Sequence, residues 1–573
     1  MDTEHIIPDD ISEKNSTQEE AMGLYKQYLR LGRAARNRVL GISSDDPITL
    51  HMLISQQGKV SNCRLAVVVV GLFTLVMGIV LSTIPWVDYL ILQHLRLSNG
   101  SLSFYYWQKP GVVRLTKVYI FNVTNPDNFL NQGEKPKLQE VGPFVYRENM
   151  EKVNIQFHDN GTVSYQHKKI LQFVPELSVD KNEKLTVPNI PLLTLSTKSN
   201  SLGFFLQKTI SLVLSMGNFR PFVNVTAEEL VFGYEDSLVA LAHRLYRKNK
   251  RPSSKMGLLI ARNGTLSERH TIHTGVNGME KFGLLDKLNG LDHLPYWPNA
   301  PCSSIKASEG SFFPPRDVTK SDIVHIYDKD LCRIIPLQYR GPIEKQGITA
   351  DLYTPPDNIF ETGTKEPNNK CYCLDDFPCA PKGLQNISPC QYDAPVYLSF
   401  PHFYKADPAL RQSFEGLYPD KEKHETYFKI QPKLGVPVEA KVRVQLNLRV
   451  EQAENVRPVS RFPNIVYPIM WLEEGIDELT PSIRRWVYLA TTVSEVACPL
   501  FTYGSIFFGS CILVGVFVNA YKSLLFTKET IEGGMRTLRQ QGVYLANGRS
   551  NSVISRDSYV LLENHMIDRR FDV

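Results

Sequence analysis

Two stretches of the chain carry no charge. Residues 65–84, LAVVVVGLFTLVMGIVLSTI, run 20 positions without a charge, and residues 496–521, VACPLFTYGSIFFGSCILVGVFVNAY, run 26. About 20 helical residues of this kind cross a hydrocarbon core of roughly 30 Å, and a soluble core helix seldom stays apolar on every face for so long. Both are predicted membrane spans. Trp86, Tyr89 and Tyr521 flank them, where amphipathic rings favour the interface.

Between the spans the pattern changes to alternation. In KVRVQLNLRV, Val442, Val444, Leu446, Leu448 and Val450 alternate with Arg443, Gln445, Asn447 and Arg449, which predicts a strand with one dry and one wet face. PVYLSF at 395–400 and RLTKVYIFNVT at 114–124 also read as strands. With frequent Gly and Pro between such runs, the expected fold is α+β, a mostly antiparallel β domain with interspersed helices. One stretch departs: residues 202–216, LGFFLQKTISLVLSM, have helical length and hold one charge, Lys208. Phe205, Thr209, Leu212 and Met216 share one face, and Leu202, Leu206, Ile210 and Leu214 cover much of another. Such a helix is either core or an exposed apolar surface that meets a ligand.

The predicted organisation is therefore a tail at 1–64, a span at 65–84, one large domain at 85–495, a span at 496–521 and a tail at 522–573. The first 60 residues are polar, with no signal-peptide pattern, so the first span is expected to be an uncleaved anchor. Lys59 and Arg64 before it, and Lys522 and Lys528 after the second span, favour two cytosolic tails. Six Asn-x-Ser/Thr acceptors, Asn99, Asn122, Asn160, Asn224, Asn263 and Asn386, lie between the spans and only Asn15 lies outside them, which suits a glycosylated extracellular or lumenal domain. The net charge of +5 over 573 residues gives no warrant for a nucleic-acid partner.

Topology decides the cysteine chemistry. Six of the nine, Cys302, Cys332, Cys371, Cys373, Cys379 and Cys390, cluster in the domain. An even number in an oxidising compartment argues for three disulfides over a metal site, and six cysteines allow 15 pairings. Cys63 borders the first span, where a thiol is either idle or palmitoylated. No hydrolase elbow, zincin motif, phosphate loop or dinucleotide fingerprint is present, so no catalytic site and no cofactor is assigned; His402 and His424 are read as structural.

Several phrases, in order along the domain, resemble one family: IFNVTNP (120–126), EVGPFVYRE (140–148), ELVFGYED (229–236), YWPNAPC (296–302), GSFFPP (310–315), DLCR (330–333), CYC (371–373), VYLSFPHFYKADP (396–408) and HETYFKIQPKLGVPV (424–438). The chain is similar to the class B scavenger receptors, the group of the fatty-acid translocase, the high-density-lipoprotein receptor and the lysosomal integral membrane protein. The resemblance implies the pairing Cys302–Cys371, Cys332–Cys390 and Cys373–Cys379. It implies a β-barrel-like ectodomain with an apical helical bundle containing 202–216, and an internal tunnel toward the membrane. It places a ligand site at the apex, here Leu202, Phe205, Lys208, Thr209, Ile210, Met216 and Arg220. Expected partners are lipids, lipoproteins or sterol- and carotenoid-like ligands, with a lysosomal protein cargo as the alternative. Fatty-acid-binding members place lysines at the end of the apical helix, where Met216 and Asn218 stand here. With Arg220 the one cation nearby, a free-fatty-acid site is disfavoured. A two-span ligand-gated channel shares the topology, but the motifs argue against it.

The tails carry the remaining signals. Tyr559-Val-Leu-Leu562 fits a Tyr-x-x-apolar sorting signal, and Asp557 with Leu561 and Leu562 fits an acidic dileucine signal, both read by clathrin adaptors. They place the protein at the plasma membrane, the endosome–lysosome membrane, or both. Residues 17–40 read as a basic amphipathic helix that either lies on the anionic leaflet or is a solvated tail.

Overall fold

The computed structural model describes residues 62–245, 253–374, 379–525 and 536. They form two units. One holds two helices long and apolar enough to cross a membrane, Asn62–Thr83 and the apolar part of Pro481–Lys522. Their mutual contact is made through glycine. A Cβ on Gly78 would lie 2.9 Å from the Ile506 nitrogen, and one on Gly509 would lie 2.6 Å from the Leu75 nitrogen, so only bare backbone allows this approach.

The second unit is Trp86–Val496. Its strands are β1 (Val112–Val123), β2 (Leu138–His158), β3 (Thr162–Phe173), β4 (Lys184–Pro188), β5 (Phe222–Thr226), β6 (Gly264–His273), β7 (Leu285–Leu288), β8 (Ile323–Asp328), β9 (Arg333–Lys345), β10 (Ile348–Thr354), β11 (Gln385–Asn386), β12 (Val396–Ser399), β13 (Tyr427–Gln431), β14 (Val436–Val450) and β15 (Ile465–Leu479). Thirteen of them join one sheet in the order β7-β6-β3-β2-β1-β15-β14-β13-β10-β9-β8, with β12 and β11 branching from β14. All pairings between these strands are antiparallel; β4 and β5 pair separately.

The strands predicted at 114–124, 395–400 and 441–450 are β1, β12 and part of β14. The barrel implied by the resemblance is not closed by strand pairing among the described residues. One segment instead reaches both edges. Leu285 N–H donates to the Ala307 carbonyl (2.9 Å) beside β7, while Ser308 exchanges backbone bonds with His325 (2.9 Å) and Tyr327 (2.8 Å) on β8. It pairs for one residue because the Ser308 hydroxyl then takes the Gly310 N–H and donates to the Phe312 carbonyl, folding the chain back.

The half-wet reading of β14 is corrected. Arg443, Gln445 and Asn447 are buried. Residues 396–426 cover that face and satisfy its polar groups: Gln445 accepts from His402 N–H (2.7 Å), Asn447 donates to Ser399 Oγ (3.0 Å), and Arg443 donates to the Glu425 carbonyl (2.6 Å). A polar face is compatible with burial when each group finds a partner.

The opposite face is layered. Along β3, β2, β1 and β15 it passes from one apolar cluster, through charge, toward a second. β3 runs Leu171, Lys169, His167, Tyr165; β1 runs Val118, Thr116, Arg114; β15 runs Leu472, Glu474, Ile476; β2 runs Tyr146, Glu148, then Lys152. Glu148 accepts from Arg114 Nε (2.7 Å) and from Lys169, and Arg262 reaches both Glu474 and Asp330. Burial works to raise the Glu148 carboxyl, but the two cations hold it well below the carboxylate range. Lys152, fully buried, donates to Trp107 O (3.0 Å) and Ser311 Oγ (2.8 Å), and burial pushes it down to about 8.

Three bridges join Cys302 to Cys371, Cys332 to Cys390 and Cys373 to Cys379, with Cα separations of 5.9, 6.6 and 4.9 Å. The first two close loops of 69 and 58 residues, each restricting the unfolded chain by about 4 kcal/mol in the loop-entropy view.

Two expectations follow. Gly435 has φ +64°, and a Cβ there would strike the Phe313 carbonyl; Gly290, at φ +85°, has nothing within 4 Å. Gly435→Ala should therefore lower Tm clearly more than Gly290→Ala, which meets only backbone strain of about 1 kcal/mol; equal Tm values would contradict the packing. Burial holds His167 at about 4 and His270 at about 3, among Glu309, Lys152, Lys169, Lys329 and Glu268. The unfolded chain protonates these histidines first, so their contribution is complete above about 6.5 and lost as pH falls toward 4. Asp328, raised by burial to about 6, works in the opposite sense. Replacing both histidines by Gln should flatten the fall in Tm between pH 7 and 5 relative to the parent; an unchanged slope would exclude them.

Candidate functional site

The helix expected at 202–216 spans Phe204–Met216 and ends where Gly217 and the left-handed Asn218 (φ 51°) interrupt it. Its amphipathicity is inverted. The polar side chains Gln207 and Ser211 face the protein, accepting from Asn455 Nδ2 (2.7 Å) and Arg457 N–H (2.9 Å). Leu214 is buried and Ile210 half-buried against the same cluster, which holds Leu192, Leu193 and Phe462. The outward side is greasy: Phe205 is 84% exposed, Met216 80% and Leu212 62%, with Phe204, Leu206 and Val213 also open. Polar anchors point inward because the adjoining segment presents two donors that need partners, the Asn455 side-chain amide and the Arg457 N–H.

Of the site residues read from the sequence, Leu202, Phe205, Lys208, Thr209, Met216 and Arg220 are exposed together on or beside this helix, and Ile210 is partly covered. Lys208 Nζ lies 5.4 Å from the Phe204 ring, and Thr209 donates to the Phe205 carbonyl (2.8 Å). The sequence reading missed Leu241 and Leu245, exposed on the Ser237–Leu245 helix. Their spacing with Leu238 in SLVALAHRL marked an apolar stripe, but not that it stays open to solvent.

The acceptor asparagines differ in access. Asn99, Asn160, Asn224 and Asn263 are exposed, Asn122 is half-buried, and Asn386 is buried with its Oδ1 taken by Ser388 N–H (3.0 Å) and Oγ (2.7 Å). Cys63 is exposed on the first long helix. Asp557, Tyr559, Leu561, Leu562 and residues 17–40 lie outside the described residues.

His402 and His424 stack at 4.5 Å, and each uses Nδ1 to accept a backbone N–H, from Tyr418 (3.0 Å) and Asp420 (2.8 Å). His402 Nε2 meets Glu140 at 2.6 Å. These rings hold the 401–425 segment in place. Among the described residues no group of three or more His, Cys, Asp or Glu could hold a metal. A cavity of about 30 Å³ lies in the first apolar cluster, lined by Ile326, Leu337, Phe360, Phe400, Phe428 and Val444. It has room for a water molecule or two and not for an acyl chain.

Residues 69–520 match the model of the CD36 family. The chain is 32% identical over 409 residues to Scavenger receptor class B member 1 of Bos taurus, covering 71% of this chain and 79% of that protein. It is 32% identical over 429 residues to Lysosome membrane protein 2 of Homo sapiens, 74% and 87% of the two chains. It is 31% identical over 423 residues to Protein peste of Drosophila melanogaster, 72% and 75%. With the hairpin of long apolar helices, the antiparallel domain and its three bridges, these matches show that the chain belongs to the CD36 family of class B scavenger receptors.

Proposed function

We propose that this chain is a receptor that binds lipid or lipoprotein ligands on the Phe204–Met216 helix and passes hydrophobic cargo through the domain interior to the membrane. The observation that carries the reading is the outward apolar face of that helix, with Phe205 and Met216 nearly free of contacts. A contiguous apolar surface on a folded domain marks an interaction site. Transfer needs no catalytic residue. Each methylene exposed to water costs about 0.8 kcal/mol, so an acyl chain or sterol gains from a sheltered path. The route requires an opening wider than the cavity of about 30 Å³, and barrel closure around it belongs to this proposal. Both tails face the cytosol in this reading, residues 85–495 carry glycans at Asn99, Asn122, Asn160, Asn224, Asn263 and Asn386, and the Tyr559 and Leu561–Leu562 signals engage clathrin adaptors. Cys63 is an acylation candidate.

A second reading is a lysosomal sorting receptor whose apolar helix holds a protein cargo. It is favoured by the absence of lysine at Met216 and Asn218 and by the similarity to Lysosome membrane protein 2.

Phe205→Glu combined with Met216→Glu should weaken lipoprotein-particle binding by at least about tenfold, while Tm and surface delivery stay unchanged because neither side chain packs in the core. Full binding by the double variant would move the site elsewhere. Glycosidase treatment of chain protected from external protease in sealed microsomes should shorten it by the mass of several glycans; a bare chain would overturn the assigned topology.

A further inference from the structure

The domain interior is divided by charge. On four neighbouring strands, the side chains between the two apolar clusters are Lys169 and His167, Glu148, Thr116 and Arg114, and Glu474. These belong to different sequence regions; they lie within a few residues of one another along adjacent strands, and side-chain ion pairs reach diagonally between them. Thr116 lies opposite Tyr146 across β1 and β2. The ion pairs are mutually satisfied through Glu148 with Arg114 and Lys169, and through Arg262 with Glu474.

Polar atoms without a hydrogen-bond partner stand on both flanks of this belt. Four of them are Thr116 Oγ1 and Tyr146 OH, on the side of the first cluster, and the Nδ1 atoms of His167 and His270, on the side of the second. All four residues are more than nine-tenths buried. Buried polar atoms ordinarily find a partner, so these four are positioned to bond something that is neither main chain nor side chain of this domain.

A wholly apolar molecule moving between the clusters would have to part Glu148 from its cations and would return no hydrogen bond. A lipid with a hydroxyl group can bond Thr116 and Tyr146 as it reaches the belt, and the histidines as it leaves. We propose that the belt is the selectivity element of the interior: it retains pure hydrocarbon in the cluster it enters and lets lipids bearing a free hydroxyl cross. This rests on the transfer reading above, and it narrows the cargo of that route to hydroxylated lipids such as sterols.

The test compares two probes of one skeleton, cholesterol and its hydrocarbon analogue cholestane, moved by the full chain in vesicles from donor particles. The parent should transfer the sterol at least about tenfold faster, the value of one good hydrogen bond or more. Arg114→Met, Glu148→Met and Lys169→Met together replace the ion pairs by apolar groups of similar length, a change that buried pairs often tolerate. That variant should raise cholestane transfer until the two probes differ by no more than about twofold. A second variant, Thr116→Val with Tyr146→Phe, keeps every ion pair and removes only unpartnered hydroxyls, so its folding is secure. It should slow the sterol and leave cholestane unchanged. Equal transfer of both probes by the parent, or parent-like sterol transfer by the second variant, overturns the proposal while the transfer reading stands. Transfer of neither probe above protein-free vesicles, by parent and variants alike, overturns the transfer reading and the belt proposal with it.

Discussion

Glu148 sits between Arg114 and Lys169, almost wholly withdrawn from water. A lone carboxylate in that position would cost several kcal/mol, and losing one partner of such a pair typically costs about 3–5 kcal/mol. The arrangement therefore demands that β1, β2 and β3 hold one register. A slip of one residue would turn Glu148, Arg114 and Lys169 to the opposite face and expose the apolar residues that alternate with them. Glu474 on β15, paired with Arg262 ahead of β6, adjoins these residues, so the long-range pairings of the sheet are coupled to one charged region. Apolar burial supplies most of the stability on either side, but the ion pairs specify which strand faces which.

The surface follows a different rule. On the Phe204–Met216 helix the polar side chains point in and the apolar ones point out, the reverse of a soluble amphipathic helix. Gln207 and Ser211 satisfy the 455–457 turn, and no second layer covers Phe205, Leu212 or Met216. Such a face is tolerated when a partner covers it part of the time. The helix rests on the apolar cluster of Leu192, Leu193 and Phe462, while the charged layer separates two other apolar clusters of the domain.

Much of this was legible from residue patterns because length and charge are local properties. Residues 65–84 and 496–521 could be read as long apolar helices without knowing any contact, and β1 and β12 followed from alternation. The disulfide partners could not be chosen by spacing; Cys332 and Cys390 are joined across 58 residues, and only the resemblance singled that pairing out. The wet face assigned to β14 failed for a physical reason. Arg443, Gln445 and Asn447 look solvent-facing in a single strand, and nothing in that strand announces that 396–426 will fold over them. The belt was missed for the same cause: Glu148 and Lys169 are ordinary polar positions until four strands align. The apolar helix was found, but its orientation was not, since Gln207 and Ser211 choose the inward side only because Asn455 and Arg457 are there.

The account depends on the domain sheltering a lipid that carries a polar end. Native mass spectrometry of the glycosylated full chain, released gently from its membrane, tests this directly. The account expects a bound molecule in near-stoichiometric amount, identified on fragmentation as a hydroxylated lipid. A chain that flies without lipid, while a soluble lysosomal protein stays attached to it, would contradict it.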